Sequence, residues 1–351
     1  MIPNDLHRNI SLWFDGSGPG ADIVISSRIR LARNLAGFEF LPCLNRQRKA
    51  EVLRTLKEIL LGLDLGEEAF FVNVDQAEAL EQELLVERHL ISRQHAAGKG
   101  PRGAVISRSE GFTAMINEED HLRMQVLKTG LQIRQCWQQI NRIDDLIEAR
   151  AEYAFDPEYG YLTACPTNLG TGIRVSVMLH LPALKMTGQI EKFFNAARDT
   201  HLAVRGLFGE GTDAVGDFFQ ISNQVSLGVS EEQIVDQFTD FIVPKIVEYE
   251  TLAREKLLST QADALDDKVQ RALGVLRSAR LISSQEALFL LSHVRMGVNL
   301  KRLDGISVRT INELFMLTQP AHLQLNRGES LDPDRRDATR AQIIRQRLCT
   351  N

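Results

Sequence analysis

The stretch SSRIRLARN, residues 26–34, combines three arginines with isoleucine and leucine. Its β-branched residues favour a strand, in which residues two apart share a face. Arg28 and Arg30 would then project together, with Ile29 and Leu31 on the other face. Adjacent guanidinium groups repel, so two interpretations stand. The stretch is either a solvated edge strand protected by charge, or a clamp for an anion, since the planar arginine fork matches phosphate oxygens.

Four other segments combine charge with special backbone. NEEDHLR, residues 117–123, contains three consecutive acids, which require a nearby cation. CPTNLGTGIRVSV, residues 165–177, contains glycines that permit close backbone approach, but it has neither a dinucleotide fingerprint nor a P-loop. VRGLFGEG, residues 204–211, joins an arginine and a glutamate to three glycines, and VERHLIS contains a histidine. Taken alone, each segment also has an ordinary explanation. NEEDHLR fits a solvated turn, Cys165 a buried packed cysteine, VRGLFGEG a tight hairpin and His89 a packed histidine.

Composition narrows the class of protein. The chain has 351 residues, 44% of them hydrophobic, and a net charge of −5, which does not favour a general nucleic-acid binder. Its four cysteines are scattered, which argues against a zinc site or a disulfide scaffold and fits a reducing compartment. No apolar run has the length of a membrane span, and MIPNDLHRNI lacks the apolar core of a secretory signal. We therefore expect a cytoplasmic protein.

The expected elements divide the chain in two. Strand patterns occur in GAVISR, GFTAMIN, YLTA, IRVSVMLH and LAVRGLF, and a helix is expected from Arg46 to Leu63. Beyond residue 230 the pattern is helical. SEEQ at 230–233 is a capping box, SSQE at 283–286 caps another helix, and DPDRR begins the last one. We expect a flexible lead-in at 1–21, a mixed domain at 22–252 and a helical domain at 253–351.

Taken together, SSRIR, ERHLIS, NEEDHLR, CPTNLGTGIR and the arginine–glycine–glutamate segment resemble the phosphagen (guanidino) kinase family. The resemblance implies an α+β catalytic domain with a mostly antiparallel sheet flanked by helices. Members of that family carry a helical domain before the SSRIR-like strand, whereas here a helical region follows the catalytic domain. That order, with RRDATRA at 335–341, resembles the bacterial branch that phosphorylates arginine side chains on proteins.

The resemblance implies a site for ATP with Mg²⁺, with no protein ligand assigned to the metal. Arginines would bind the phosphates, and neighbouring residues would complete the nucleotide site, with the stretches Arg174–Met178 and Arg205–Glu210 contributing through their backbone. The arginines are Arg28, Arg30, Arg123, Arg174 and Arg205; the others are Ser26, Ser27, Ile29, His89, Val175, Ser176, Val177, Met178, Gly206, Leu207, Phe208, Gly209 and Glu210. Such a cage suits phosphoryl transfer, in which catalysis is mostly positioning and charge stabilisation.

The acceptor side needs a base, because a guanidinium holds its protons tightly and must lose one as its nitrogen attacks phosphorus. By resemblance, Glu119 is the base, Glu210 orients the guanidinium and Cys165 lies beside it as a reactive cysteine. A thiolate there would be favoured by nearby arginines.

The C-terminal resemblance implies a homodimer and a phosphoarginine-binding motif at Arg336, Asp337 and Arg340. It also implies three partners: a zinc-binding activator, a heat-shock repressor and the Clp protease. No direct nucleic-acid or membrane contact is expected. Two alternatives remain, a small-molecule guanidino kinase and a non-catalytic phosphoarginine-binding adaptor. The HRD and DFG signatures of Ser/Thr/Tyr kinases do not occur in the expected arrangement.

Overall fold

A computed structural model describes residue 3 and residues 6–206 and 215–349. Its centre is a sheet of eight strands in the order β2-β3-β4-β5-β1-β8-β10-β9, and every pairing between described residues is antiparallel. The strands are β1 (Val24–Arg33), β2 (Ala69–Val72), β3 (Gly103–Ser107), β4 (Phe112–Ile116), β5 (Leu122–Thr129), β8 (Ile173–His180), β9 (Leu202–Gly206) and β10 (Phe218–Asn223). A separate hairpin is formed by β6 (Phe155–Asp156) and β7 (Gly160–Tyr161).

Helices flank this sheet and then make up the C-terminal part of the chain. The first six are α1 (Arg46–Leu61), α2 (Ala79–Glu87), α3 (Arg93–Ala97), α4 (Ile133–Glu148), α5 (Pro182–Met186) and α6 (Ile190–Asp199). The others are α7 (Glu231–Asp236), α8 (Val243–Thr260), α9 (Ala262–Ser278), α10 (Ser284–Asn299), α11 (Val308–Leu317), α12 (Pro320–Arg327) and α13 (Pro333–Cys349). A π-helical segment, Gln237–Ile242, joins α7 to α8. The expected α+β class with an antiparallel sheet is confirmed.

Strand β1 lies in the interior of the sheet, hydrogen-bonded to β5 on one side and β8 on the other. The solvated-edge interpretation of SSRIR is therefore wrong. Ile29 and Leu31 are fully buried on the face that packs against α4. Arg33 shares their parity and is buried as well, where it pairs with Asp144 of α4 at 2.6 Å. Arg33, the third arginine of the stretch, therefore links α4 to the sheet through a buried ion pair.

The N-terminal segment is not the flexible lead-in that its glycines predict. Within residues 6–21, Trp13 and Phe14 are only 3% and 4% exposed. The Phe14 ring lies 6.5 Å from both Phe218 of β10 and Phe315 of α11. The segment is therefore held between the sheet and the C-terminal helices. The apolar contacts of Trp13 and Phe14 outweigh the conformational entropy that the glycines of GSGPG lose on folding.

The local signals for helix starts are confirmed. Ser230 and Gln233 form the capping box of α7, and Ser283 caps α10. Asp332 accepts a hydrogen bond from the Arg335 amide, and Pro333 is the first residue of α13. Each cap satisfies amide groups that have no partner inside the helix.

Some expected element ends differ in the structure. The first helix ends at Leu61 rather than Leu63. Within YLTA only Tyr161 is in a strand, because the following residues bend into the segment that begins at Cys165. Helix α8 runs unbroken past residue 252 to Thr260, and the backbone leaves helical geometry at Gln261. We propose that the two domains meet there, about nine residues beyond the expected boundary. No described helix is long and apolar enough to cross a membrane.

Candidate active site

The sheet gathers arginines from four strands on one face. In the ladder, Arg28 lies opposite Ser176 and Arg30 lies opposite Arg174. On the other side of β1, Arg30 lies opposite Gln125, two residues from Arg123. On β9, Arg205 lies opposite Gln220. Since directly opposed residues share a face, all five arginines expected at the phosphates project from the same side of the sheet.

These arginines line a cavity of about 850 Å³. Its mouth includes the exposed side chains of Arg93, Gln94, Thr167, Gln224 and Val225, so the cavity opens to solvent on that side. The other lining residues come from β1, β4, β5, β8, β9 and β10, from the turn after β4, from α2 and the turn that follows it, from the segment that begins at Cys165 and from the residues after β10. The cavity is thus a basic cleft with one open end.

The cavity holds its positive charges at an electrostatic cost. Burial, and then the charges of Arg123, Arg174 and Arg205, lowers the pKa of Arg28 to about 9. Burial and its arginine neighbours likewise place the pKa of Arg30 well below the ordinary range. The Nε and Nη2 atoms of Arg30 are buried without a hydrogen-bond partner among the described residues. Buried donors of this kind are stabilised when an anion with several acceptor oxygens enters.

The three acids of NEEDH have separate surroundings. Glu118 is buried and bound to Arg123 at 2.7 Å, to Ser92 at 2.5 Å and to the Glu119 amide at 3.0 Å. Burial alone would raise the pKa of Glu118, but Arg123 and these hydrogen bonds outweigh it and the pKa lies below the usual range. Glu119 is half-buried and lines the cavity. The cation expected beside the acids is therefore Arg123. Glu118 and Glu119 both line the cavity, but Glu118 is held by Arg123 and Ser92, whereas Glu119 is the more exposed of the two carboxylates.

Asp120 turns away from the cavity and holds its wall. One of its oxygens accepts from Asn34 at 2.6 Å and from the Ala164 amide at 2.7 Å. The second contact fixes the residue directly before Cys165. The NEEDH turn and the cysteine segment are in this way held together through one buried carboxylate.

Cys165 is half-buried and lines the cavity, with its Sγ 3.0 Å from Thr167 Oγ1. The packed-cysteine interpretation is therefore wrong. The segment around it needs its glycines. Gly170 has φ +100°, and a Cβ there would lie 2.4 Å from the Ser226 carbonyl oxygen.

We expect Cys165→Ser to slow phosphoryl transfer by roughly five- to tenfold without abolishing it, the scale of one contact worth about 1 kcal/mol. Alkylation should inhibit the wild type and leave the Cys165→Ser variant unaffected, although Cys43 and Cys349 are also exposed. Turnover with γ-labelled ATP measures both effects. Equal inhibition of wild type and variant would assign the sensitivity to another cysteine.

His89 lies at the inner end of the cavity, with φ +57°, where β5 supports it through a bond from Gln125 to its carbonyl. Burial, and then the charges of Arg28 and Arg93, lowers the pKa of His89 to about 3. The imidazole is therefore neutral at physiological pH and can contact a ligand without adding charge.

Not every residue expected at the nucleotide presents its side chain to the cavity. Ser27, Ile29, Val175 and Val177 are buried on the opposite face of the sheet. Ser27 instead donates to the Gly130 carbonyl and accepts from the Gln132 amide. Met178, Ser26 and Ser176 share the face of Arg28 and line a small adjoining cavity. Gly206 ends β9. Leu207, Phe208, Gly209 and Glu210 lie outside the described residues.

Sequence reasoning missed several polar residues of the cavity: Ser92, Arg93, Gln125, Gln220 and Asn223. The signal for Gln125 was available, because it lies two residues from Arg123 on one strand face. Gln220 and Asn223 depend on the pairing of β10 with β8 and β9, which no local pattern reveals. Arg93 reaches the mouth because α3 follows the left-handed turn at His89.

Known proteins resemble this chain in both its catalytic and its C-terminal region. Residues 51–253 match the family model "ATP:guanido phosphotransferase, C-terminal catalytic domain". Residues 262–351 match "Protein-arginine kinase McsB C-terminal domain". A protein-arginine kinase of Moorella thermoacetica is 45% identical over 98% of this chain and 99% of its own length. One of Symbiobacterium thermophilum is 45% identical, with 96% of each chain covered.

A solved structure shows the same fold. The duplicated taurocyamine kinase from Schistosoma mansoni, with bound transition-state-analogue components, superposes with a TM-score of 0.62 and 26% identity. The match covers 68% of this chain and 34% of that one.

The fold and the arginine-lined cavity define an enzyme that moves a phosphoryl group between ATP and a guanidino nitrogen. The chain belongs to the ATP:guanido phosphotransferase family. Within that family, the chain is similar to protein-arginine kinases over almost their full length. The similarity extends through the C-terminal region that follows the catalytic domain.

Proposed function

We propose that this chain transfers the γ-phosphoryl group of ATP to arginine side chains of proteins. The observation that carries the proposal is the set of arginines on one face of the sheet with Glu119 in the same cavity. The protein substrate is supported by the likeness to protein-arginine kinases, which extends through the C-terminal domain.

In the proposed reaction, ATP binds with its phosphates on the arginine face, bringing Mg²⁺ as part of the nucleotide complex. The substrate guanidinium enters from the open side, next to Glu119 and Cys165. As a guanidino nitrogen attacks, the new N–P bond forms while the bond from Pγ to the ADP oxygen breaks. The proton leaves the nitrogen for the Glu119 carboxylate. The arginines compensate the charge on the equatorial oxygens throughout. Glu210 is proposed to orient the guanidinium.

The test is mass spectrometry at neutral pH of a protein substrate incubated with ATP, Mg²⁺ and this chain, because a P–N bond is labile in acid. Free arginine is supplied as a competing acceptor in a parallel sample with γ-labelled ATP. Phosphate on protein arginines supports the proposal. Label on free arginine alone would favour a small-molecule guanidino kinase, and label on neither acceptor would favour a non-catalytic adaptor.

The wider role is proposed from the same likeness. Phosphoarginine would mark proteins for a Clp protease and control a heat-shock repressor, with a zinc-binding activator protein as regulator. The chain would work in the cytoplasm as a homodimer formed through residues 253–351. These partners are tested by binding and degradation assays with each purified component.

A phosphoarginine-binding site in α13 is part of the proposal, but its residues are not equivalent. Arg340 is buried and donates to the carbonyls of Thr318 and Ile282, both at 2.9 Å, and to Asp337 at 2.5 Å. Those contacts join α13 to neighbouring segments. Arg336 is half-buried beside them. Replacing Arg340 would leave two buried carbonyls unpaired, so Arg336 is the better position for a test.

We expect Arg336→Ala to weaken phosphoarginine binding by roughly tenfold, since one charge-assisted contact contributes about 1.5 kcal/mol. The measurement is calorimetric titration of phosphoarginine, with catalysis blocked by Glu119→Gln. Arg347→Ala on the same helix is the control, because that side chain is exposed and pairs only loosely with Glu313 at 3.5 Å. If Arg336→Ala binds like the control, RRDATRA is a charged helix surface and nothing more.

A further inference from the structure

The N-terminal segment brings Trp13 to the small cavity that adjoins the large one. The indole packs edge-on against His89, with ring centroids 5.3 Å apart and planes at 82°. Trp13 is 3% exposed, yet its Nε1–H has no hydrogen-bond partner among the described residues. A buried indole donor usually finds a partner. An unpaired donor at this place indicates that something else occupies the space beside it.

The space beside the indole is a cavity of about 10 Å³, enough for one water molecule. It shares Arg28, His89 and Gln220 with the large cavity, and Ser26 and Ser176 add hydroxyl groups. A water there would accept from Trp13 and find further polar partners in these side chains, as buried waters require.

The segment that carries Trp13 is firmly held. Ser11 donates to Glu110 at 2.6 Å, and Arg88 donates to the Asn9 carbonyl at 2.9 Å. On the other side, Asn312 of α11 donates to the Phe14 carbonyl at 2.8 Å. Contacts from both domains therefore fix the position of the indole.

We propose that Trp13 is a positioning residue of the nucleotide site. Its ring supports the His89 ring, and its indole N–H holds one buried water against Ser176 and Gln220, two residues that contact the Arg28 guanidinium. The inference rests on the proposed use of that cavity for ATP.

Trp13 and Trp137 are the two tryptophans of the chain, so a Trp137→Phe variant makes Trp13 the sole indole emitter. We expect MgATP to change the intensity and wavelength of its emission in a saturable way, with the dissociation constant found by calorimetry. Magnesium tripolyphosphate, which lacks the nucleoside, separates the effect of phosphate on Arg28 from that of the whole nucleotide. The doubly substituted Trp13→Phe, Trp137→Phe protein is the control for background.

Kinetics give the second measurement. Trp13→Phe keeps an aromatic ring and removes the donor, so KM for ATP should rise roughly 2- to 10-fold with kcat little changed. Trp13→Leu also removes the edge contact with His89 and should raise KM further. Calorimetric binding of MgATP without any change in Trp13 emission, together with a wild-type KM in Trp13→Phe, would overturn the inference and leave the proposed function standing. Failure of MgATP to bind at all would overturn both.

Discussion

Replacing Glu119 by glutamine should leave ATP binding close to wild type and lower phosphoryl transfer ~10²–10⁴-fold, the usual effect of losing a general base. The glutamine keeps the size of the side chain and removes the group that takes the guanidinium proton. Glu119 faces the cavity, whereas Glu118 and Asp120 are held in buried hydrogen bonds. Transfer is measured with γ-labelled ATP, and ATP binding by calorimetry.

Two other carboxylates make this test specific. Glu83→Gln, on the exposed side of α2, should change neither quantity. Glu118→Gln removes the partner of Arg123 and should weaken ATP binding as well as transfer. A Glu119→Gln protein with near wild-type turnover would exclude Glu119 as the base, and a loss confined to ATP binding would assign it a different role.

The second large effect is expected at Arg30. Replacing it with methionine should weaken ATP binding by roughly 10- to 150-fold, because a charge-assisted contact contributes about 1.5–3 kcal/mol. The same change should raise the melting temperature of the nucleotide-free protein. It removes a buried charge that its arginine neighbours repel, and whose Nε and Nη2 atoms lack partners among the described residues. Stability gained without ligand and affinity lost with it is the signature of a group placed for function.

Thermal melts with and without MgATP measure both parts of the Arg30 prediction. Arg54→Met is the matched control, because Arg54 is exposed on α1. Arg48 is less suitable, since it pairs with Glu51 at 2.8 Å and lies over the Phe38 ring. A lower melting temperature for nucleotide-free Arg30→Met would show that Arg30 stabilises the fold.

Much of the site was accessible from the sequence because its signals are local. The alternation in SSRIR gives Arg28 and Arg30 one face, and the caps at Ser230 and Asp332 give helix starts. The features that could not be predicted depend on contacts between residues that are distant in the chain. Only the partners β5 and β8 reveal that β1 is interior, and only α4 reveals that Arg33 is structural.

The prediction that the N-terminal segment is flexible was wrong for a different reason. The glycines and proline of GSGPG indicate a flexible backbone, but contacts of Trp13 and Phe14 hold the segment in place. Phe14 packs against β10 and α11, some 200 to 300 residues away, and Trp13 packs against His89. The contacts of Arg340 were unpredictable for the same reason. Its spacing from Asp337 indicates an ion pair, but the carbonyls of Thr318 and Ile282 are distant in the chain.

The position of Phe14 between Phe218 and Phe315 has a consequence for the modularity of this chain. A segment of residues 6–21 fills the junction between sheet and C-terminal helices, so the two domains share apolar core through a third piece that belongs to neither. Buried arginines deepen this union, because Arg295 of α10 donates to the Asp22 carbonyl and to His180 of β8, both at 3.0 Å. We therefore expect the catalytic and C-terminal regions to unfold as one cooperative unit. A chimaera that exchanges one of these regions would have to keep the N-terminal segment matched to both.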